Sequence, residues 1–317
     1  MKTQRDQFLD TLFEYAKEDK DIILLSVDMG APSLDRWRSE LPNQFFSMGI
    51  SEQNAINVAA GLTRGGKKVF VYFMAIWVLR CFEQIRYSCA LAGNPITIIG
   101  NGVGLGYAPA GPAHEPIEDV SVMKSLLGIE IWSPSSIAAI NDIVKICLEN
   151  KKLNYIRLER KTHQTIENLK SSEPFNNINI YGFGNTSSSK SITICSYGFI
   201  VGRVLDAAKA VEMSNPKIAI KVCDINKIFP LDLVDIEKIT KHAEGILVVE
   251  EQSTTGSLGE YIAAKIALNA SPIKIRLMHL PDSYIFENGT RDQILDAHGL
   301  SLREIESGIK KMAAVPN

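Results

Sequence analysis

Apolar runs of strand length alternate with helical patterns twice along this chain of 317 residues. The runs are rich in Val and Ile and show little apolar–polar alternation, which is typical of strands buried on both faces of a sheet. In the first series they lie at 22–27, 68–72, 96–100, 129–132 and 154–158. In the second series they lie at 192–195, 217–222, 245–249 and 273–277. Such alternation predicts parallel α/β sheets with right-handed crossovers.

Composition changes between the two series. Residues 166–190 are rich in Ser and Asn, which is typical of an interdomain linker. We therefore expect an α/β fold of two consecutive domains, 1–165 and 191–317, each with a mainly parallel sheet flanked by helices. The length fits two domains of ordinary size.

Charge and cysteine usage exclude several classes of protein. The net charge is −2, from 34 basic and 36 acidic residues, so nucleic acid is not an expected partner. The polar N-terminus does not resemble a signal peptide, and charges interrupt the apolar runs before the roughly 18 residues of a membrane span. The cysteines are scattered without C-x-x-C spacing, so we expect buried reduced thiols in a cytoplasmic protein. They are Cys81, Cys89, Cys147, Cys195 and Cys223.

A glutamate stands at the start of an uncharged helix pattern. The segment Gly49-Ile50-Ser51-Glu52-Gln53-Asn54 precedes an Ala-rich stretch that carries no charge until Arg64. Ser51 is a suitable N-cap, which places Glu52 in the first helical turn. Many helices begin with a glutamate because the helix dipole stabilises its charge. An uncharged helix is typical of a buried one, however, so we expect Glu52 to face an interface.

A loop rich in Gly and Pro follows the run at 96–100 and ends in Gly111-Pro112-Ala113-His114-Glu115-Pro116. Its glycines are superficially similar to a dinucleotide-binding fingerprint, but Pro109 and Pro112 stand where that site requires a helix. A rigid loop that presents one imidazole is the better interpretation, although a single histidine in a loop is usually incidental. Imidazole is suited to proton transfer near neutral pH.

These two motifs resemble the half of a transketolase that binds the thiamine ring. The resemblance is most specific at 47–62 and 100–119, and it implies a pyrimidine-type thiamine-diphosphate-binding fold followed by a transketolase C-terminal domain. It also implies thiamine diphosphate as cofactor. In that family the glutamate matching Glu52 bonds the aminopyrimidine ring and promotes deprotonation of the cofactor. The histidine matching His114 bonds donor-substrate oxygens and can transfer protons, so Glu52 and His114 are the catalytic candidates.

An aromatic-rich segment runs from the second predicted strand into a predicted helix over 76–92. Aromatic residues at this density are more often core than cofactor platform. The segment continues into Gln84-Ile85-Arg86, however, which resembles the family motif that follows an aromatic stacked on the aminopyrimidine. This resemblance assigns the stacking position to Trp77. At position 80, the arginine resembles the residue that deoxyxylulose-phosphate synthases have there. The candidate cofactor contacts are Glu52, Trp77, Asp28, Ile50 and Arg80.

The same resemblance implies a site for the sugar phosphate. Arg160 matches a phosphate-binding position, and a guanidinium is well shaped for bidentate phosphate contact. Two departures predict that substrate choice differs from the standard pentose phosphates. Ala110 stands where the family has an aspartate that reads substrate hydroxyls, and Gly102 stands about where a histidine helps to hold the phosphate. The candidate substrate contacts are His114, Arg160, Arg5 and Ser33.

The Gly-Asp-Gly motif that holds magnesium and diphosphate in this family does not occur in the sequence. We therefore expect an N-terminal transketolase subunit with that motif to share thiamine diphosphate and to hold most of the Mg²⁺ or Ca²⁺, in an α2β2 heterotetramer. The leading hypothesis is ketol transfer by the C-terminal subunit of a split transketolase. Alternatives are a deoxyxylulose-phosphate-synthase-like condensing enzyme, the β subunit of a 2-oxo-acid dehydrogenase, and an inactive scaffold paralogue.

Overall fold

The computed structural model describes residues 2–161, 163–167, 175–184, 190–269 and 272–314. The strands are β1 Ile22–Ser26, β2 Phe45–Ser47, β3 Lys68–Met74, β4 Thr97–Asn101, β5 Ile129–Trp132, β6 Leu153–Leu158, β7 Ile178–Phe183, β8 Lys190–Ser196, β9 Ile218–Ile225, β10 Lys227–Phe229, β11 Gly245–Val249 and β12 Lys274–Met278. The helices are α1 Gln4–Glu18, α2 Ser33–Glu40, α3 Glu52–Arg64, α4 Phe82–Gln84, α5 Asp119–Lys124, α6 Ile140–Glu149, α7 Gln164–Glu167, α8 Val201–Ser214, α9 Leu233–Thr240, α10 Leu258–Leu268, α11 Arg291–Ala297 and α12 Leu302–Ala314.

The strands form two sheets, as the alternating apolar runs predict. The first has the order β10-β5-β6-β4-β3-β1-β2 and the second the order β12-β11-β8-β9-β7. Both are parallel except at an edge, where β10 pairs antiparallel with β5 and β7 pairs antiparallel with β9. The expected α/β fold of two mainly parallel sheets is confirmed.

Two short strands depart from the predicted organisation. Strand β7 lies within 166–190, the range predicted as a linker, and its alternating burial shows why. It is an Asn-containing edge strand with one exposed face, so its sequence does not resemble a buried strand. Strand β10 comes from the second predicted domain yet completes the first sheet. The rest of the predicted linker between 168 and 174 and between 185 and 189 lies outside the described residues.

The predicted helix over 76–92 is not continuous. It consists of a 3₁₀ turn at Ala75–Val78, the short helix α4 and a π-helix at Ile85–Leu91. Cys81 stands between the first two pieces, and its thiol hydrogen-bonds to the Trp77 carbonyl oxygen at 3.2 Å. π-Helical turns occur frequently at functional sites. Because of this break, Trp77 lies in a 3₁₀ turn and not in a regular helix.

Helices cover both faces of the first sheet. The buried side chains of α1, α2 and α6 pack on one face, and those of α3 and the π-helix pack on the other. Trp37 of α2 is fully buried and donates its indole N–H to the Leu9 carbonyl oxygen at 3.2 Å. These helices pack on the two faces of the sheet and do not cover the end at which its parallel strands terminate, which we call the carboxyl edge.

The cysteines are all buried and free, which confirms the expectation of buried reduced thiols. Burial raises the pKa of the Cys81, Cys89 and Cys147 thiols. Within the described ranges, no helix has both the length and the apolar character that crossing a membrane requires.

Candidate active site

The candidate residues gather at the carboxyl edge of the first sheet. Asn101 ends β4, Tyr72 lies near the end of β3, and Arg160 follows β6 by two residues. Asp28 follows β1, and Glu52 begins the helix after β2. Because parallel strands all end at the same edge, side chains that are distant in sequence meet there, and ligands of α/β proteins bind there.

Glu52 is a buried carboxyl at the start of α3, with 4% of its surface exposed. Ser51 occupies the N-cap position as predicted, but its hydroxyl donates to the Met48 carbonyl oxygen and not to the helix. The nearest partner of the carboxylate is Arg80, whose Nη1 lies 3.3 Å from Oε2. The Arg80 side chain is half-exposed, so solvent reaches the cationic partner of the buried carboxylate.

Three further candidates join Glu52 through direct contacts. The guanidinium carbon of Arg80 lies 4.5 Å from the ring centroid of Trp77, a cation–π distance. The Trp77 ring in turn contacts the His114 ring, with centroids 6.4 Å apart and an interplanar angle of 67°. His114 Nδ1 is buried and has no hydrogen-bond partner among the described residues. We call Glu52, Arg80, Trp77 and His114 the glutamate cluster.

Arg5 and Ser33 lie together around one carboxylate, Asp6. Arg5 donates to it twice, at 2.9 Å and 3.1 Å. Burial opposes ionisation of Asp6, but hydrogen bonds from Arg5, Thr3 and Ser33 outweigh it and hold the pKa of Asp6 below its usual value. The Arg5 charge is therefore already paired, and a phosphate at this position would have to share it.

The three remaining candidates are more exposed. The Arg160 side chain covers the ring of Tyr107 and lines a cavity of about 330 Å³ between the two domains. Asp28 is exposed and has a φ of 42°, which is uncommon for a residue other than glycine. Ile50 is 74% exposed although it is apolar. An exposed isoleucine two residues before Glu52 is well placed to be covered by a ligand or a partner chain.

The second domain holds the loop that carries His114 in place. Arg157 of β6 forms a buried ion pair with Asp119, at 2.8 Å and 3.1 Å, and Tyr155 donates to the same carboxylate at 2.6 Å. Gln252 of the second domain donates to Asp119 at 3.0 Å and to the Pro116 carbonyl oxygen at 3.1 Å. Since Pro116 follows His114 by two residues, these bonds hold the backbone next to the imidazole against the second domain.

Glu115 is a site residue for which the sequence motif predicts no role. Its side chain is 2% exposed, and neither carboxylate oxygen has a hydrogen-bond partner among the described residues. Burial, with the nearby charges of Glu251 and Glu287, raises the pKa of Glu115 to about 7. Its place beside His114 was visible in the sequence, but two carboxylates that help to raise its pKa, Glu251 and Glu287, belong to the second domain. A carboxyl that titrates near neutral pH thus lies next to the catalytic candidate.

Replacement of Glu115 by Gln is expected to change how stability depends on pH. The raised pKa means that the folded chain binds a proton more tightly than the unfolded chain, so stability falls as pH rises from about 4.5 to about 7. Glu115→Gln replaces the ionisable carboxyl with a neutral amide, so the folded variant buries no charge at high pH. It should be about 2 kcal/mol more stable than wild type at pH 8, with little difference at pH 4.5. Urea unfolding at the two pH values measures the difference. An equal difference at both would contradict the shifted pKa.

Two family models match successive parts of the chain. The family model "Transketolase, pyrimidine binding domain" matches residues 2–165, and "Transketolase, C-terminal domain" matches residues 185–305. One of the subunits of apulose-4-phosphate transketolase from Phocaeicola vulgatus is 30% identical over 98% of this chain and 96% of its own length. The 6-deoxy-6-sulfo-D-fructose transketolase subunit SqwH of Clostridium sp. is 28% identical over 95% and 91%. A solved structure described as a split-gene transketolase in an inactive β4 tetramer is 27% identical, with a TM-score of 0.86 over 100% of both chains.

Proposed function

The chain belongs to the transketolase family, and from this premise we propose that it is the C-terminal subunit of a split transketolase. It transfers a two-carbon ketol unit from a ketose phosphate to an aldose acceptor. The observation that carries the proposal is the intact glutamate cluster on a chain whose sequence has no Gly-Asp-Gly motif. The cluster supplies one half of a shared site, and a partner supplies the other half.

The residues of the glutamate cluster fit thiamine diphosphate. The aminopyrimidine offers ring nitrogens and an aromatic face, and the cluster offers a buried carboxyl, a partly buried indole and an imidazole nitrogen without a partner among the described residues. When bound, the cofactor supplies the carbon nucleophile that carries the ketol unit. Glu52 holds or shares a proton at its Oε atoms, and Trp77 provides an aromatic surface. His114 is oriented by its loop to exchange a proton with donor-substrate oxygens.

The diphosphate and its Mg²⁺ or Ca²⁺ are assigned to the partner, an N-terminal transketolase subunit with Gly-Asp-Gly. The description of a relative as an inactive tetramer of β chains supports this requirement. The relatives of similar length are named as subunits of transketolases, which favours this function over the condensing-enzyme and dehydrogenase alternatives. The buried free cysteines support a reducing compartment, and we place the protein in the cytoplasm.

We propose that two copies of this chain pair through α3 and the π-helix and complete an α2β2 assembly. The outer face of α3 carries uncharged side chains at Gln53, Asn54 and Asn57. Ser88 of the π-helix donates to Asn57 at 2.8 Å, so the two helices present one surface. Leu91 on that helix is 71% exposed. A surface of uncharged polar side chains beside an exposed leucine is suited to a subunit interface.

The substrate is proposed to be a sugar phosphate outside the standard pentose set. The relatives are named for apulose 4-phosphate and for a sulfofructose, which supports varied donors among transketolases of this type. In this chain the loop residues Ala110 and Gly102 carry no side chain that could bond a substrate hydroxyl. Recognition of the sugar must therefore come from other residues of the edge.

Reconstitution with a candidate N-terminal subunit that carries the Gly-Asp-Gly motif tests the proposed function. Thiamine diphosphate and Mg²⁺ are titrated into each chain alone and into the mixture, with calorimetry for binding and a coupled assay for ketol transfer. We expect tight binding and transfer only in the mixture. Cofactor binding by this chain alone, or no binding in the mixture, would contradict the shared site. Assays with pyruvate plus an aldehyde phosphate, and with lipoamide, distinguish the two enzymatic alternatives.

A further inference from the structure

Tyr107 occupies space that only a glycine at position 102 leaves free. Gly102 follows β4 with a φ of 77°, a conformation that other residues rarely adopt. A Cβ atom placed there would lie 1.9 Å from Cε2 of the Tyr107 ring. The Gly102 position and the Tyr107 ring are therefore a matched pair, because a side chain at 102 would displace the ring.

The ring of Tyr107 supports Arg160. The guanidinium carbon of Arg160 lies 4.2 Å from the ring centroid, and its Nη1 donates weakly to the Gly106 carbonyl oxygen at 3.5 Å. Arg160 is otherwise an exposed side chain with many rotamers. Stacking on an aromatic face removes part of that freedom and holds the guanidinium at the edge of the sheet.

The hydroxyl of Tyr107 is also held in place. Asn101 donates its side-chain N–H to Tyr107 Oη at 3.1 Å. A phenol that accepts one hydrogen bond keeps its own proton to donate, and here an acceptor from outside the chain can take it. Because Asn101 is 1% exposed at the end of β4, it fixes the direction of the hydroxyl from behind.

A second buried phenol, Tyr72, lies near this hydroxyl, and Arg5 is within side-chain hydrogen-bonding reach of its oxygen. No described residue accepts the proton of the Tyr72 hydroxyl. Oδ1 of Asn101, on a side chain that is 1% exposed, also has no partner among the described residues, but as an acceptor it suits a sugar hydroxyl or a water and not an oxyanion. Buried polar atoms are nearly always paired with protein, water or ligand, so the unused phenol proton indicates a place for an acceptor. The two phenols thus connect the candidate arginines Arg5 and Arg160.

We infer that Tyr107 determines donor specificity by donating its hydroxyl proton to the terminal oxyanion of the ketose and by holding Arg160 against the same group. Asn101 is the positioning residue behind it. The ligand chemistry is a tetrahedral oxyanion, a phosphate or a sulfonate, at the end of the sugar distal to the transferred carbons. This inference rests on the proposed ketol transfer and deepens it, because it names the group that replaces the missing side chains of the loop.

Donor selectivity of a Tyr107→Phe variant tests the inference in the reconstituted enzyme. The donors are fructose 6-phosphate, 6-deoxy-6-sulfofructose, fructose and hydroxypyruvate, a ketol donor without a distal chain. We expect kcat/KM for the preferred anionic donor, relative to hydroxypyruvate, to fall about tenfold through KM, because one hydrogen bond to a charged group is lost. Tyr107→Leu also removes the support of Arg160 and should lower the ratio further. The anionic donor that wild type prefers identifies phosphate or sulfonate.

Tyr15→Phe is the matched control, since Tyr15 is a half-exposed residue of α1. An unchanged selectivity ratio in Tyr107→Phe, in a folded variant that still transfers ketol units, would overturn the inference and leave the proposed function standing. Equal losses with hydroxypyruvate and with the anionic donors would also overturn it, because the role would then be structural. Absence of transfer by the wild-type pair with every donor would instead contradict the proposed function.

Discussion

Replacement of Glu52 by Gln is expected to lower kcat for ketol transfer by about a thousandfold, in the range that loss of a general acid–base group produces. Glutamine keeps the size and polarity of the side chain but cannot share a proton with the cofactor ring. The variant should fold normally, because the half-exposed Arg80 can be solvated by water and the amide oxygen of Gln can still accept a hydrogen bond from it. Steady-state kinetics with saturating partner and cofactor measure kcat, and thermal melting measures stability.

Glu40→Gln is the matched control, because Glu40 ends α2 and its side chain is exposed. It should retain wild-type kcat. Turnover of Glu52→Gln within tenfold of wild type would show that the buried carboxyl is not the group that activates the cofactor. A large fall in melting temperature would show that Glu52 matters chiefly for folding of the α3 start.

Replacement of Arg157 by Met is expected to cost about 3–5 kcal/mol of unfolding free energy. The variant leaves Asp119, which is fully buried, without its countercharge. Tyr155 and Gln252 continue to donate to that carboxylate, but two neutral donors do not replace a guanidinium. The midpoint of urea unfolding should fall sharply. Ketol transfer should fall as well, since the same bonds hold the loop that carries His114.

Two controls separate the buried pair from ion pairs in general. Arg36→Met removes a surface pair with Glu14, in which both side chains are about half-exposed, and should change stability by less than about 1 kcal/mol. The double variant Arg157→Met/Asp119→Leu removes both buried charges and should recover much of the loss. A single Arg157→Met variant as stable as Arg36→Met would show that Asp119 is accommodated as a neutral acid.

The regular elements could be predicted wherever a strand is buried on both faces. The runs that become β1, β3 and β11 are nearly continuous in apolar residues because helices cover both sides of each sheet. The edge strands β2, β7 and β10 could not be predicted in this way, although the edge strand β12 was. The two-residue alternation of β7 and the three-residue length of β10 carry little pattern of their own, and each forms because a neighbouring strand offers free backbone groups.

The site divides in a similar way. Glu52 and His114 could be identified because they stand in short motifs that resemble those of a known family. Tyr107 and Glu115 could not, since their roles depend on what lies opposite them. Tyr107 matters because Gly102 leaves room for its ring, and Glu115 because Glu251 of the second domain lies near it.

The amino-acid sequence by itself determined the two parallel sheets, the family and the main catalytic candidates, because apolar periodicity and local motifs depend on neighbours along the chain. Only the tertiary structure decided that Arg80 pairs with Glu52, that Trp77 meets His114, and that β10 crosses to the other sheet. These contacts join residues 28 or more positions apart. Their energies depend on burial and on direction, which arise only when the strands end together at one edge of the sheet.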